Sequence, residues 1–115
     1  MSPDELRDAT TVADILRAAR LATEFLGGLD EASFYGDPKT QSSVIHQILI
    51  AGEAVKRLTF AFREVHPEIP WHAIAGMRDQ LIHAYHEVDF SEVWKTATFD
   101  LPELVRRLEE IPPAS

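Results

Sequence analysis

The chain has 115 residues, of which 45% are hydrophobic and 26% charged, a composition that suits one folded domain spanning 1–115 and excludes a disordered chain. It contains no cysteine, which excludes a disulfide scaffold, a thiol nucleophile and a thiolate-ligated metal site. The net charge is -8, from 11 Lys and Arg against 19 Asp and Glu, which counts against a broadly basic nucleic-acid surface.

Ser2-Pro3-Asp4-Glu5 predicts a helix start, with Ser2 as cap, proline in the first turn and Glu5 closing a capping box. Leu6, Ala13, Leu16, Ala19 and Leu26 or Phe25 then recur at helical steps, and Gly27-Gly28 predicts the end. Residues 29–36 read as a connector. Asp37-Pro38 opens a long second helix whose stripe is Ile45, Ile48, Gly52, Val55, Thr59 and Phe62, closed by His66-Pro67. A glycine at mid-helix costs about 1 kcal/mol against alanine, so Gly52 implies close approach by another helix. Ile69-Pro70-Trp71 opens a third helix reaching about His86. Asp89-Phe90-Ser91-Glu92 caps a fourth, which carries Phe90, Val93, Trp94, Ala97, Leu101, Leu104, Val105 and Leu108. Pro102 is expected to kink or split it, and Pro112-Pro113 to end the fold. No strand pattern is evident. The expected fold is all-α, an antiparallel bundle of four to five helices in a single domain.

No apolar run approaches the ~20 residues of a membrane span. The acidic start of the chain lacks the layout of a signal peptide, so a cytoplasmic location without a membrane partner is expected. The charge is unevenly spread: 1–37 hold 3 basic and 8 acidic groups, 87–115 hold 3 and 7, and 38–86 hold 5 and 4 with all five histidines.

Chemistry concentrates in Arg78-Asp79-Gln80-Leu81-Ile82-His83-Ala84-Tyr85-His86. Asp79 and His83 are four apart and face each other on a helix, so the carboxylate could hold the imidazole in one tautomer. Arg78 and Tyr85, seven apart, share a face. Arg78 and His83 are roughly 140° apart around the axis, so either the helix ends near His83 or a second chain completes the site. A guanidinium suits a phosphoryl centre and an imidazole moves protons near neutral pH; together they supply metal-free RNA cleavage by the ribose 2′-hydroxyl. That reaction uses two proton-transfer groups, which a two-fold dimer would supply.

The same residues have plainer readings: His83 as a core histidine bonded to Asp79, Arg78 paired with Glu53 or Glu87, and Tyr85 as a core aromatic with its hydroxyl at the rim. Asp79, His83 and His86 also stand at a spacing that could ligate a metal for a phosphohydrolase. His46, His66 and His72 read as structural or exposed, and Trp71 and Trp94 as core.

The blocks Ile50-Ala51-Gly52-Glu53-Ala54-Val55-Lys56-Arg57-Leu58, His66-Pro67-Glu68-Ile69-Pro70-Trp71 and Ile74-Ala75-Gly76-Met77-Arg78-Asp79-Gln80-Leu81-Ile82-His83-Ala84-Tyr85, with Val88-Asp89 and Val93-Trp94 after them, resemble the HepT-like toxins of the HEPN superfamily. The resemblance covers most of the chain. It implies a HEPN-like bundle and a homodimeric ribonuclease acting on RNA without a metal or other cofactor. The catalytic residues would be Arg78 and His83, with Asp79 and Tyr85 in support. It further implies a cognate minimal nucleotidyltransferase antitoxin, of the MntA-like kind, which silences the toxin by AMPylation of Tyr85. Asp79 stands where the family often has asparagine. By the same resemblance Ala51 and Gly52 lie on a helix of the dimer, and Lys56 and Arg57 line the RNA path. A helical binding module without catalysis, acting through the nucleotidyltransferase, is the other reading. For an acidic chain, RNA binding requires a local positive groove, expected between the two copies of 78–86.

Overall fold

The computed structural model describes residues 1–112, and every regular element among them is helical. The first helix, α1 (Pro3–Leu26), starts as its sequence dictates. The Ser2 hydroxyl accepts from the Glu5 amide at 3.1 Å, the Glu5 carboxylate accepts from the Ser2 amide, and the helix ends at Gly27 with φ +62°. Its buried face is rotated from the expected stripe. Asp8, Thr11, Ile15, Ala18, Ala19, Ala22 and Leu26 are buried, whereas Leu6, Ala13 and Phe25 are exposed. The apolar count along α1 is low, and small alanines fill the seam where α1 meets the second long helix.

The expected connector holds a short helix, α2 (Glu31–Tyr35), capped by Asp30 through the Ser33 amide at 2.8 Å. Its Phe34 is fully buried, and the buried Gln41 side chain donates to the carbonyls of Phe34 and Tyr35 at 2.9 and 3.0 Å. These bonds hold the turn against α3 (Pro38–Arg57), which Asp37 caps.

The long helix expected to run to His66 is two helices. Leu58 and Thr59 are extended, and α4 (Phe60–Val65) follows. The cause lies on α1. The buried Asp8 carboxylate accepts from the Thr59 amide at 2.9 Å and from its hydroxyl at 2.6 Å, while the same hydroxyl accepts from the Phe62 amide. Thr59 thus becomes an N-cap, and the apolar period across the break is coincidental.

Next comes α5 (Trp71–His83), tied at its start by a Trp71 indole bond to the His66 carbonyl at 2.9 Å. It ends at His83, three residues short of the expected end. Leu81 is its last buried residue, while Ile82, His83, Tyr85, His86 and Glu87 face solvent. With no further side chain to bury, the chain turns through Ala84 into a single 3-10 turn, Tyr85–Glu87.

The last stretch is α6 (Phe90–Lys95), capped by Asp89, and α7 (Leu101–Glu109), joined by one wide turn over Thr96–Asp100. The Leu101 amide donates to the Thr96 carbonyl, an i to i+5 bond. The expected split therefore falls directly before Pro102, as a wide turn between α6 and α7 with no gap in the run of helical residues. The wide turn just before it adjusts the register where proline has no amide to give. Pro113, the second residue of the expected terminator, lies outside the described residues.

The result is an all-α bundle of α1, α3, α5 and α6–α7, with α2 and α4 at its ends. Ile15, Val44, Ile48, Val55, Ile74, Val93, Leu101 and Leu104 are all fully buried in one shared core. Trp71 is buried, as expected, and Trp94 is half-buried against Phe34, with ring centroids 5.5 Å apart. Among the described residues no helix is long and apolar enough to cross a membrane.

Candidate active site

Two helices build the site. From α3 come Gly52, Glu53 and Lys56, and from α5 come Arg78, Asp79 and His83, with Tyr85 and His86 in the turn that follows. Gly52 decides how closely the two approach. A Cβ at position 52 would overlap the Arg78 Cβ, sit 2.9 Å from its Cγ and 3.1 Å from the Ile74 carbonyl. The close approach expected at Gly52 is therefore made within the chain. Ala51 and Gly52 are both buried in the protomer, so neither offers a surface to a second copy.

The Arg78 side chain, 21% exposed, lies along this contact. Its Nη2 donates to Glu53 Oε2 at 2.7 Å and its Nη1 to Asp79 Oδ1 at 3.0 Å, while its buried Nε has no partner among the described residues. Lys56 donates to the same Asp79 oxygen at 2.5 Å. Bonding to Asp79, opposed by some desolvation, raises the Arg78 pKa and keeps the guanidinium charged. The Lys56 bond, then the Arg78 bond, holds the Asp79 carboxyl below the usual carboxylate range. Glu53, Arg78, Asp79 and Lys56 form one alternating chain of charge with no net sign.

This differs from the expected layout in one respect. Asp79 faces Lys56 and Arg78 and makes no bond to His83. Across the helix pair it meets two cations, Lys56 and Arg78, whose charge-assisted bonds take up its acceptor oxygen. His83 is exposed, and among the described residues its side chain has no hydrogen bond or ion pair. The reading of His83 as a core histidine fails on both counts. Tyr85 is 58% exposed, so it is not a core aromatic either. Its ring stands edge-on to His86 at 6.5 Å. Of the two carboxylates considered for Arg78, Glu53 is the partner and Glu87 is not. Of the two cations expected along an RNA path, Lys56 lies on this face. Arg57 turns to α1, pairing with Asp14 at 3.5 Å.

In the sequence Glu53 reads only as a structural partner of Arg78; its spacing of three from Lys56 puts those two on one face of α3, the face that meets Arg78 and Asp79 of α5. Within one protomer the structure does not join Arg78 to His83. The first turns to α3, and the second points to solvent at the end of α5. Two hollows, of about 330 and 600 Å³, are lined by residues of the α1 side and include none of Arg78, His83 or Tyr85. Among the described residues no group of three or more His, Asp or Glu is placed to hold a metal ion.

The structure is an all-α bundle with an exposed imidazole and a clamped guanidinium on one helix, and comparison supplies the family. The sequence profile described as "Ribonuclease HepT-like" matches residues 15–111, and the chain belongs to the HepT-like ribonuclease family. It is 44% identical over 98 residues to "Probable ribonuclease HepT" of Thermococcus cleftensis, covering 85% of this chain and 89% of that protein. It is 39% identical over 97 residues to a protein of Caldanaerobacter subterraneus subsp. tengcongensis named as a "Putative RNase", covering 84% and 87%. A Methanocaldococcus jannaschii protein, "Gamma-glutamylcyclotransferase and putative RNase MJ0434", is 37% identical over 97 residues, covering 84% of this chain and 44% of its own length. No solved structure matches the chain.

Proposed function

We propose that this protein is the toxin of a type VII HEPN–nucleotidyltransferase toxin–antitoxin system, a ribonuclease that cleaves RNA without a metal at the crevice of a homodimer. The observation that carries the reading is the division of labour on α5. The Arg78 stem packs on Gly52, while His83 stands exposed and, among the described residues, without a hydrogen bond or ion pair, about 140° away around the helix. One chain offers the groups on different faces of an open surface, and two copies facing each other offer both in one crevice.

In that crevice one His83 takes the proton from the ribose 2′-hydroxyl as its oxygen attacks the adjacent phosphorus. The 5′-oxygen leaves with a proton from the second copy's His83, and a 2′,3′-cyclic phosphate remains. The Arg78 guanidinium neutralises charge gathering on the phosphoryl oxygens. Asp79 supports the site by holding Lys56 beside Arg78. The exposed Tyr85 hydroxyl is accessible to a cognate minimal nucleotidyltransferase antitoxin, which silences the toxin by AMPylation. Purified dimer is expected to cleave RNA in excess chelator and leave cyclic phosphate ends. His83→Ala is expected to abolish cleavage while remaining a folded dimer. Cleavage that needs a divalent ion, or that survives the substitution, contradicts the mechanism.

One observation favours the binding-module reading: in the protomer, Arg78 is already paired with two carboxylates. That reading predicts a complex with the nucleotidyltransferase and no turnover of any RNA.

A further inference from the structure

The two carboxylates on Arg78 are held differently. Asp79 is anchored on its other side by Lys56, so leaving Arg78 would mean breaking a two-cation bridge. Among the described residues Glu53 has no partner but Arg78, and its side chain is 52% exposed. The Arg78 stem is held where it is by its packing on Gly52. The outer edge of the guanidinium, Nη2, thus sits on an anchored stem and is covered by one half-exposed carboxylate. Carboxylate and phosphate use the same guanidinium donors.

We infer that Glu53 is an internal stand-in for the RNA phosphate: it occupies Nη2 of Arg78 in the unliganded protein and is displaced when RNA binds, so that Glu53 sets RNA affinity. The inference rests on the reading of Arg78 as an RNA contact. With Glu53 in place the group of Glu53, Lys56, Arg78 and Asp79 is neutral. With Glu53 swung into solvent, the remaining three carry one positive charge at the surface. In a chain of net charge -8, this swing creates a positive patch only where a phosphate is present to hold it open. Ejecting a half-exposed partner is a small cost, so the device tunes affinity without blocking the site.

The test is fluorescence anisotropy with a fully 2′-O-methylated RNA oligonucleotide, which binds and cannot be cut by its own 2′-oxygen. Glu53→Gln is expected to tighten binding by about two- to five-fold, the range of one exposed ion pair. Glu53→Asp keeps the charge but shortens the reach, and is expected to tighten binding as well. In an Arg78→Ala background neither change is expected to have an effect. Weakened or unchanged binding by Glu53→Gln overturns the inference. So does an equal gain with and without Arg78, or wild-type affinity in Glu53→Asp, because either reduces Glu53 to a general charge. If Arg78→Ala binds the oligonucleotide as well as the wild type does, the reading of Arg78 as an RNA contact fails, and the inference with it.

Discussion

Gly52 of α3 and Arg78 of α5 touch with no room for a side chain between them, and this contact anchors the stem of the Arg78 side chain. Gly52→Ala gains helix propensity but drives a methyl group into the Arg78 stem and the Ile74 carbonyl. The obstructing atoms sit on or next to the backbone of α5, so whole-helix displacement is the only relief. Overpacking of this kind costs about 1–3 kcal/mol, more than the ~1 kcal/mol alanine gains in a helix. The variant is expected to melt several degrees lower and to lose RNA binding, read by circular dichroism and anisotropy. A variant as stable and as tight as wild type would show that the helices have slack here.

Asp8 is the buried carboxylate that stops α3 and starts α4. Asp8→Ala leaves the Thr59 amide without its partner and is expected to cost about 1–3 kcal/mol in chemical denaturation. Thr59→Val, which removes one of the two bonds and the cap, is expected to cost less. If Asp8→Ala unfolds at the wild-type denaturant midpoint, the helix break has another cause.

Acid is expected to act in two opposed ways. Asp30, Asp37, Asp79, Asp89 and Glu103 are all held below the ordinary carboxylate range by bonds to amides, hydroxyls or cations. Their contribution is complete above the unfolded value near ~4 and is lost as pH falls through the lower folded values. Asp100, buried in the wide turn before Pro102, is shifted the other way by desolvation. Its charged form destabilises the fold. Asp100→Asn is therefore expected to raise the melting temperature at pH 7, with the gain vanishing below about pH 3, where both carboxyls are protonated. A lower melting temperature at pH 7 would mean that the Asp100 charge has a stabilising partner.

The caps were legible because they are local. Ser2, Asp37 and Asp89 each bond to an amide two or three residues on, and proline marks two of these starts. The break at Leu58 and Thr59 was not, because an apolar stripe runs straight across it and its cause lies 51 residues away on Asp8. The site divides in the same way. The sequence put Arg78, Asp79, His83 and Tyr85 in one short segment, and the end of α5 at His83 was one of two options it left open. Spacing alone turned Asp79 toward His83, whereas packing of α5 on α3 turned it toward Lys56. No periodicity within α5 encodes what α3 presents opposite it.

On the proposed function, Tyr85 is expected to be the residue that receives AMP. Co-expression with the cognate nucleotidyltransferase should add AMP units to the chain by intact-mass spectrometry, and Tyr85→Phe should remove the added mass. Persistence of the modification in Tyr85→Phe would move it to another residue.

The central claim, that two copies bring both reacting groups into one crevice, is tested most directly by a crystal structure of the dimer. Arg78 of one protomer and His83 of its partner are expected on the same side of the two-fold axis, close enough for a single phosphate to touch both, about 7 Å between guanidinium and imidazole nitrogens. Arg78 and His83 on opposite sides of the dimer, or sealed within separate protomers, would contradict it.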